Sequence, residues 1–406
     1  MERKTGRSRR GIMGVMVLAA VCAAAALGFL WGSAGKDAAA PPPAESLPAA
    51  TQVPAPEPTP SPTPEPPSLE EQAQAILEEM TLEEKVGQMF LARRPETDTA
   101  QKAAEYHLGG YLLFGRDIRD KTREELVQAI QSDQDAVEIP LFIGVDEEGG
   151  TVNRVSSNPN LRATPFRSPQ ELYAEGGFER VRSDAQEKCR LLKSLGFQLN
   201  FAPVCDVSQD PEDFIYDRSF GQGAEQTAQY VGTVVEAMEE EGMGSVLKHF
   251  PGYGDNADTH TGLAYDQRPY ETFLESDFLP FRAGIEAGAD MVLVAHNIVA
   301  CMDRQRPASL SPEVHRILRE ELGFSGVIIT DDLAMDGVRD FTGDEAAAVL
   351  AVQAGNDLLC CTDFETQIPA VLAAVERGEI QEERIDASVR RILVLKLSLG
   401  LLEGEA

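Results

Sequence analysis

Positive charge is scarce in this chain: 36 Lys and Arg stand against 67 Asp and Glu, a formal net charge of −31. A protein that binds nucleic acid by neutralising phosphates needs the opposite balance, so that class is excluded. Cysteine is sparse as well. The six, Cys22, Cys189, Cys205, Cys301, Cys360 and Cys361, show no repeated spacing and no C-x-x-C pair. Neither a disulfide scaffold nor a thiolate zinc site is encoded, and buried free thiols are the reading. What is present is ordinary globular material. With 406 residues and 43% hydrophobic content there is room for one large domain or two ordinary ones after the tails are removed.

The tail at the N-terminus reads as an address. Arg3, Lys4, Arg7, Arg9 and Arg10 precede an uncharged run from Gly11 to Ser33. About 20 apolar residues span a bilayer core, and a basic flank stays on the cytoplasmic side, so residues 1–33 are expected to anchor the chain with everything after Trp31 outside. The rival is a signal peptide cleaved near Gly32 to Ala40. Both place the remainder beyond the cytoplasm. Cys22 follows Val21, where a lipoprotein signal carries a small residue, which argues against lipidation. From Pro41 to Pro67 there are twelve prolines. Residues 34–67 therefore read as an extended spacer at roughly 3.1 Å per residue, with no core. The ordered domain is expected over residues 68–406, starting at the capping box Ser68-Leu69-Glu70-Glu71.

Within that domain, eight short apolar runs recur: Val86 to Ala92, Gly110 to Phe114, Leu141 to Val145, Asn200 to Pro203, Gly244 to Lys248, Met291 to Ala295, Val327 to Thr330 and Asp357 to Cys361. Amphipathic helical patterns separate them, among them Arg123 to Ala136, Glu179 to Leu195, Glu225 to Glu240 and Phe273 to Glu286. Strands alternating with helices imply a parallel sheet, and eight of them suit a (β/α)8 TIM-type barrel of the α/β class. An open doubly wound sheet is the runner-up, because periodicity does not show closure. Barrel chemistry lies where strands end at the C-terminal face. Asp146, Asp206, Lys248 with His249, His296, and Asp331 with Asp332 all fall in such places.

Two segments carry most of the chemistry. Lys248-His249-Phe250-Pro251-Gly252-Tyr253-Gly254-Asp255-Asn256-Ala257-Asp258-Thr259-His260 is a loop by its glycines and proline. Asp258 lies two residues before His260, close enough to orient the imidazole and stabilise its protonated form for acid/base work. A turn capped by Asp258 is the bland reading. A metal held by His249, Asp258 and His260 is the other rival, with no helical histidine spacing to support it. Asp331 emerges from the run Val327 to Thr330 into the expected barrel mouth, where a carboxylate can attack an acetal carbon. Asp332, its neighbour, reads as structural.

These segments resemble glycoside hydrolase family 3, within it the single-domain bacterial beta-N-acetylhexosaminidases. The resemblance also runs through Leu82 to Met89, Val145-Asp146-Glu147-Glu148-Gly149-Gly150, Asn200 to Val204, Arg218-Ser219-Phe220-Gly221 and Arg319 to Leu333. It implies that Asp331 is the nucleophile and His260, assisted by Asp258, the acid/base. It further implies that Asp146, Arg154, Arg218, Lys248 and His249 hold sugar hydroxyls. Many family members take a glutamate acid/base from a second domain, for which no room is expected after Ile385 to Leu402. No cofactor and no metal are implied, the partner is a carbohydrate, and a monomer is expected.

Departures from the family pattern lie in the same loop. Tyr253 stands where a second histidine is usual, the Gly254 to Asp258 stretch is one residue short, Thr259 replaces a serine, and Glu147 replaces a glutamine. The expected activity is removal of terminal N-acetylglucosamine from cell-wall fragments by an exo-acting, retaining enzyme. Its rivals are a phosphorylase or beta-glucosidase of the same family, or an inert wall-binding barrel.

Overall fold

The computed structural model describes residues 67–254, 264–342 and 347–402. The expected anchor, the spacer up to residue 66, Asp258 and His260 lie outside the described residues. Ser68 caps the first helix, Leu69–Glu79, and its hydroxyl and backbone amide exchange hydrogen bonds with Glu71 as the S-x-x-E spacing predicts. A second box, Thr81 with Glu84, opens the helix Leu82–Gln88. That helix corrects the first expected strand. Val86 to Gln88 continue an apolar run in the sequence, yet the capping box two turns upstream commits them to helix, and the strand begins only at Phe90.

Strands form at all eight expected places, but the fourth is shifted: it spans only Leu199–Asn200, and Phe201 to Pro203 of the expected run lie beyond it. The eight are β1 (Phe90–Arg93), β2 (Gly110–Leu113), β3 (Phe142–Val145), β4 (Leu199–Asn200), β5 (Gly244–Phe250), β6 (Met291–Val294), β7 (Val327–Thr330) and β8 (Leu359–Cys361). Every neighbouring pair is parallel, in the order β7-β6-β5-β4-β3-β2-β1-β8. Registers such as Leu91 to Gly110, Tyr111 to Ile143 and Leu199 to Gly244 step around the sheet. A lone parallel bridge, Ile329 to Leu358, joins β7 to β8. The sheet is thus a nearly closed barrel of the TIM type, with one continuous core of buried aliphatic and aromatic side chains.

The β7–β8 seam has few ladder bonds and is held by a charge. The carboxylate of Asp357, fully buried, takes bonds from the Ile328 amide at 2.9 Å, Ser388 Oγ at 2.8 Å and Arg391 at 3.0 Å, and from Arg319. A buried carboxylate is tolerated only with such compensation. Four of the free cysteines, Cys189, Cys205, Cys360 and Cys361, are buried as expected; Cys301 is exposed. Among the described residues no helix is long and apolar enough to cross a membrane.

Two local features shape the mouth. After β3 the chain forms a small hairpin, Glu147–Gly149 against Val152–Asn153. Gly149, at φ 102°, passes so close to the Arg167 carbonyl that a Cβ would sit 2.2 Å from its oxygen, so only glycine fits. In β5 the register against β6 slips between Leu247 and Phe250. Such a bulge breaks the strict alternation of faces and lets two successive residues, Lys248 and His249, serve one site.

Candidate active site

The strand ends gather a charged cluster. Lys248 Nζ lies 2.6 Å from Asp146 Oδ1 and 2.6 Å from Glu148 Oε1. Glu148 also receives Arg218 through Nη2 at 2.8 Å and Nε at 3.1 Å, a forked pairing that fixes the guanidinium plane. Arg218 Nη2 reaches His249 Nε2 at 3.2 Å, while His249 Nδ1 lies 2.7 Å from Asp206 Oδ2. An arginine has no acceptor, so His249 accepts at Nε2 and carries its proton on Nδ1. Asp206 is completed by the amides of His249 at 3.1 Å and Tyr253 at 2.7 Å.

Burial sets how these charges behave. Burial pushes the Glu148 carboxyl up, but Lys248 and Arg218 override it and hold the group down at about 2. For Lys248, burial acts downward and the carboxylates of Asp146 and Glu148 more than restore the charge, leaving the amine above its ordinary value. Glu148 and Lys248 therefore both stay ionised at neutral pH. The side chain of Lys248 is 2% exposed, against 17% for Asp146 and 18% for Arg218, so the last two meet incoming solvent or ligand. Fixed donors and acceptors at the rim of a buried ion network are suited to the directional hydrogen bonds of a pyranose.

Asp331 stands across the same mouth. Its amide bonds the Val294 carbonyl at the end of β6, at 3.1 Å, and its Oδ1 accepts from the Asp332 amide at 2.8 Å. The Cys360 thiol, in the middle of β8, is pushed up by burial and by the charges of Asp332, Asp331 and Asp146. Asp146 follows β3 and Asp331 follows β7 directly, and the strands run parallel, so both carboxylates lie at one end of the barrel. Asp332 turns away: its carboxylate accepts from the Ala334 amide at 2.9 Å, the Thr362 amide at 3.1 Å and the Thr362 hydroxyl. His296 sits behind this turn, with Nδ1 2.7 Å from Ser309 Oγ and Nε2 3.1 Å from the Asp332 carbonyl.

The structure brings together Asp146, Arg218, Lys248 and His249 in one bonded network. Arg154 is carried on the hairpin after β3. Its backbone amide donates to Glu147 Oε2 at 2.8 Å, and its guanidinium makes no ion pair among the described residues. Glu147 is wholly buried and also takes the amides of Val155 and Ser156, so it folds the loop and does not face the mouth. From the sequence alone, two working residues have no assigned role: Glu148 stands only within a motif, and Asp206 only as a polar residue at a strand end. Glu148 is the shared carboxylate of the network and Asp206 the orienter of His249. Their signals were the paired carboxylates Glu147-Glu148 after β3 and the polar residue following β4. A cavity of about 870 Å³ lies at the opposite end, lined by Gln88, Leu108 and Ile139, which precede the first three strands.

Residues 81–395 match the glycosyl hydrolase family 3 N terminal domain. The chain belongs to glycoside hydrolase family 3. It is 32% identical over 330 residues to Beta-hexosaminidase LpqI of Mycobacterium tuberculosis (strain ATCC 25618 / H37Rv), covering 77% of this chain and 82% of that one. To Beta-hexosaminidase A of Pseudoalteromonas piscicida it is 30% identical over 330 residues, 74% of this chain, and it spans only 55% of that relative's length. Among solved structures, a glycoside hydrolase family 3 beta-N-acetylglucosaminidase from Paenibacillus sp. str. FPU-7 superposes with a TM-score of 0.73 at 34% identity, over 80% of this chain and 64% of that one. The structure of M tuberculosis LpqI gives 0.72 at 30% identity, over 80% and 96% of the two chains.

Proposed function

We propose that this chain is an exo-acting, retaining beta-N-acetylhexosaminidase that removes terminal beta-linked N-acetylglucosamine from cell-wall fragments or related glycans. The observation that carries the reading is Asp331 directly after β7, at the same end of the barrel as the Asp146–Lys248–Glu148–Arg218–His249 network. Asp146, Arg154, Arg218, Lys248 and His249 hold the sugar in this reading, and Asp331 attacks its anomeric carbon. His260, oriented by Asp258, protonates the leaving oxygen and then draws the proton from the attacking water. Two inversions return the β-anomer as the first product. The relatives named beta-hexosaminidase and beta-N-acetylglucosaminidase support the choice of sugar.

Export of the catalytic domain belongs to the same proposal: residues 1–33 anchor or deliver it, and residues 34–67 space it from the surface. The test is p-nitrophenol release by the purified chain from matched beta-N-acetylglucosaminide and beta-glucoside substrates in phosphate-free buffer. A strong N-acetyl preference is expected, and Asp331→Ala removes it. Full turnover by Asp331→Ala, or turnover only after phosphate is added, overturns the hydrolase reading.

A further inference from the structure

The loop after β4 that supplies Asp206 and Arg218 also presents an aromatic side chain to solvent. Phe214 is 40% exposed, while its neighbour Ile215 is 1% exposed and packs with Val204, Tyr253 and Ala295 beneath the mouth. The segment is braced. Ser208 Oγ donates to Asp213 Oδ2 at 2.7 Å, the Asp213 amide bonds the Asp210 carbonyl at 3.0 Å, and the Tyr216 amide bonds the Asp213 carbonyl at 3.1 Å. Ile215 is thereby the anchor and Phe214 is turned outward beside it.

A single exposed apolar side chain is common and by itself calls for no explanation. The position of this one does. The Phe214 ring stands edge-on to Tyr253, with centroids 6.1 Å apart, and Tyr253 stands edge-on to His249 at 5.0 Å. His249 in turn contacts Arg218 at 3.2 Å. Phe214 is therefore the exposed end of a chain of edge-on ring contacts whose other end, His249, belongs to the polar cluster. Arg218, four residues on, is fixed to the same braced loop. An aromatic face at this height offers the apolar C–H face of a pyranose a flat, weakly negative partner, leaving its hydroxyls in water.

We propose that Phe214 is the stacking platform for the leaving-group sugar, the residue beyond the bond to be cut. This rests on the hydrolase reading above and extends it to the aglycone. Binding energy taken from that distant sugar acts on the reacting bond, so loss of the platform falls on substrates that possess a second sugar. The probe is chosen to be neutral, because Asp210, Glu212, Asp213 and Asp217 flank the ring without a Lys or Arg between residues 209 and 217.

The experiment compares kcat/KM of the full chain for a neutral N-acetylglucosamine disaccharide with that for beta-N-acetylglucosaminyl fluoride, which has no leaving-group sugar. In Phe214→Ala the ratio of disaccharide to fluoride is expected to fall roughly three- to tenfold. In Phe214→Tyr, which keeps the ring, the ratio is expected to stay at the wild-type value. An unchanged ratio in Phe214→Ala, or an equal fall in Phe214→Tyr, overturns the assignment while leaving the hydrolase reading intact. A wild-type chain inert toward both substrates overturns the hydrolase reading, and the assignment with it.

Discussion

Glu148→Gln tests the idea that one shared carboxylate holds the sugar-binding cations in place. The substitution keeps the size and shape of the side chain but removes the charge between Lys248 Nζ at 2.6 Å and Arg218 Nη2 at 2.8 Å. The native environment holds Glu148 at about 2 against an ordinary value of 4.5. At 1.36 kcal/mol for each pH unit of that gap, ionisation of Glu148 contributes about 3 kcal/mol to folding at neutral pH. The sign follows from the lowered value. The contribution is complete well above 4.5, and it is lost as pH falls through about 2, where the folded carboxylate takes up its proton. Urea denaturation should therefore show Glu148→Gln to be about 3 kcal/mol less stable than wild type at pH 7, with the difference shrinking to about 2 kcal/mol by pH 3.5. Activity should fall with it, since Arg218 keeps at most one of its two anchoring bonds and loses the charge that they answered. A difference under about 0.5 kcal/mol at pH 7, within the range of an ordinary surface substitution, would refute the reasoning. So would a deficit that does not change with pH.

Two further outcomes follow from neighbouring geometry. Asp206→Ala releases His249 Nδ1 and leaves the amides of His249 and Tyr253 without their acceptor, so kcat/KM should drop roughly a hundredfold through misplacement of the imidazole; steady-state kinetics at pH 7 checks this, and an unaltered value contradicts it. Lys396 is fully buried and donates to Gln88 Oε1 and the Pro140 carbonyl, both at 2.6 Å, with burial lowering its amine to about 7. The folded chain then binds fewer protons than the unfolded one between pH 7 and 10.5, so stability rises with pH in that window. Relative to Lys396→Met, the wild type should gain about 3 kcal/mol from pH 7 to 9.5 in denaturant titrations; a flat difference would place a charged amine at Lys396.

The fold was legible because most barrel strands are short, buried, largely apolar runs, and several helices, such as those opened by Ser68, Thr81, Thr122 and Ser168, carry their own caps. Where two signals competed at Val86 to Gln88, the local hydrogen bonds of the Thr81–Glu84 box outweighed the apolar run. The site was legible in part for a geometric reason. Lys248 and His249 lie in the C-terminal part of β5 and Asp331 directly follows β7, so the fold alone assigns them to the mouth. Glu148 and Asp206 need more, because their partners lie on other strands: Glu148 meets Arg218 70 positions away, and Asp206 meets His249 43 positions away. No spacing within the sequence encodes those meetings. Glu147 illustrates the converse. It sits beside two mouth-facing carboxylates in sequence, yet its side chain turns inward to collect loop amides.

The most direct test is to trap the covalent intermediate. The full chain would be incubated with a 5-fluoro analogue of beta-N-acetylglucosaminyl fluoride, which slows hydrolysis of the glycosyl-enzyme, and then examined by intact mass and peptide mapping. A single glycosyl adduct on the carboxylate of Asp331, absent in Asp331→Ala, is the predicted result. An adduct on any other carboxylate, or turnover of the analogue without any adduct, would contradict retaining catalysis through Asp331.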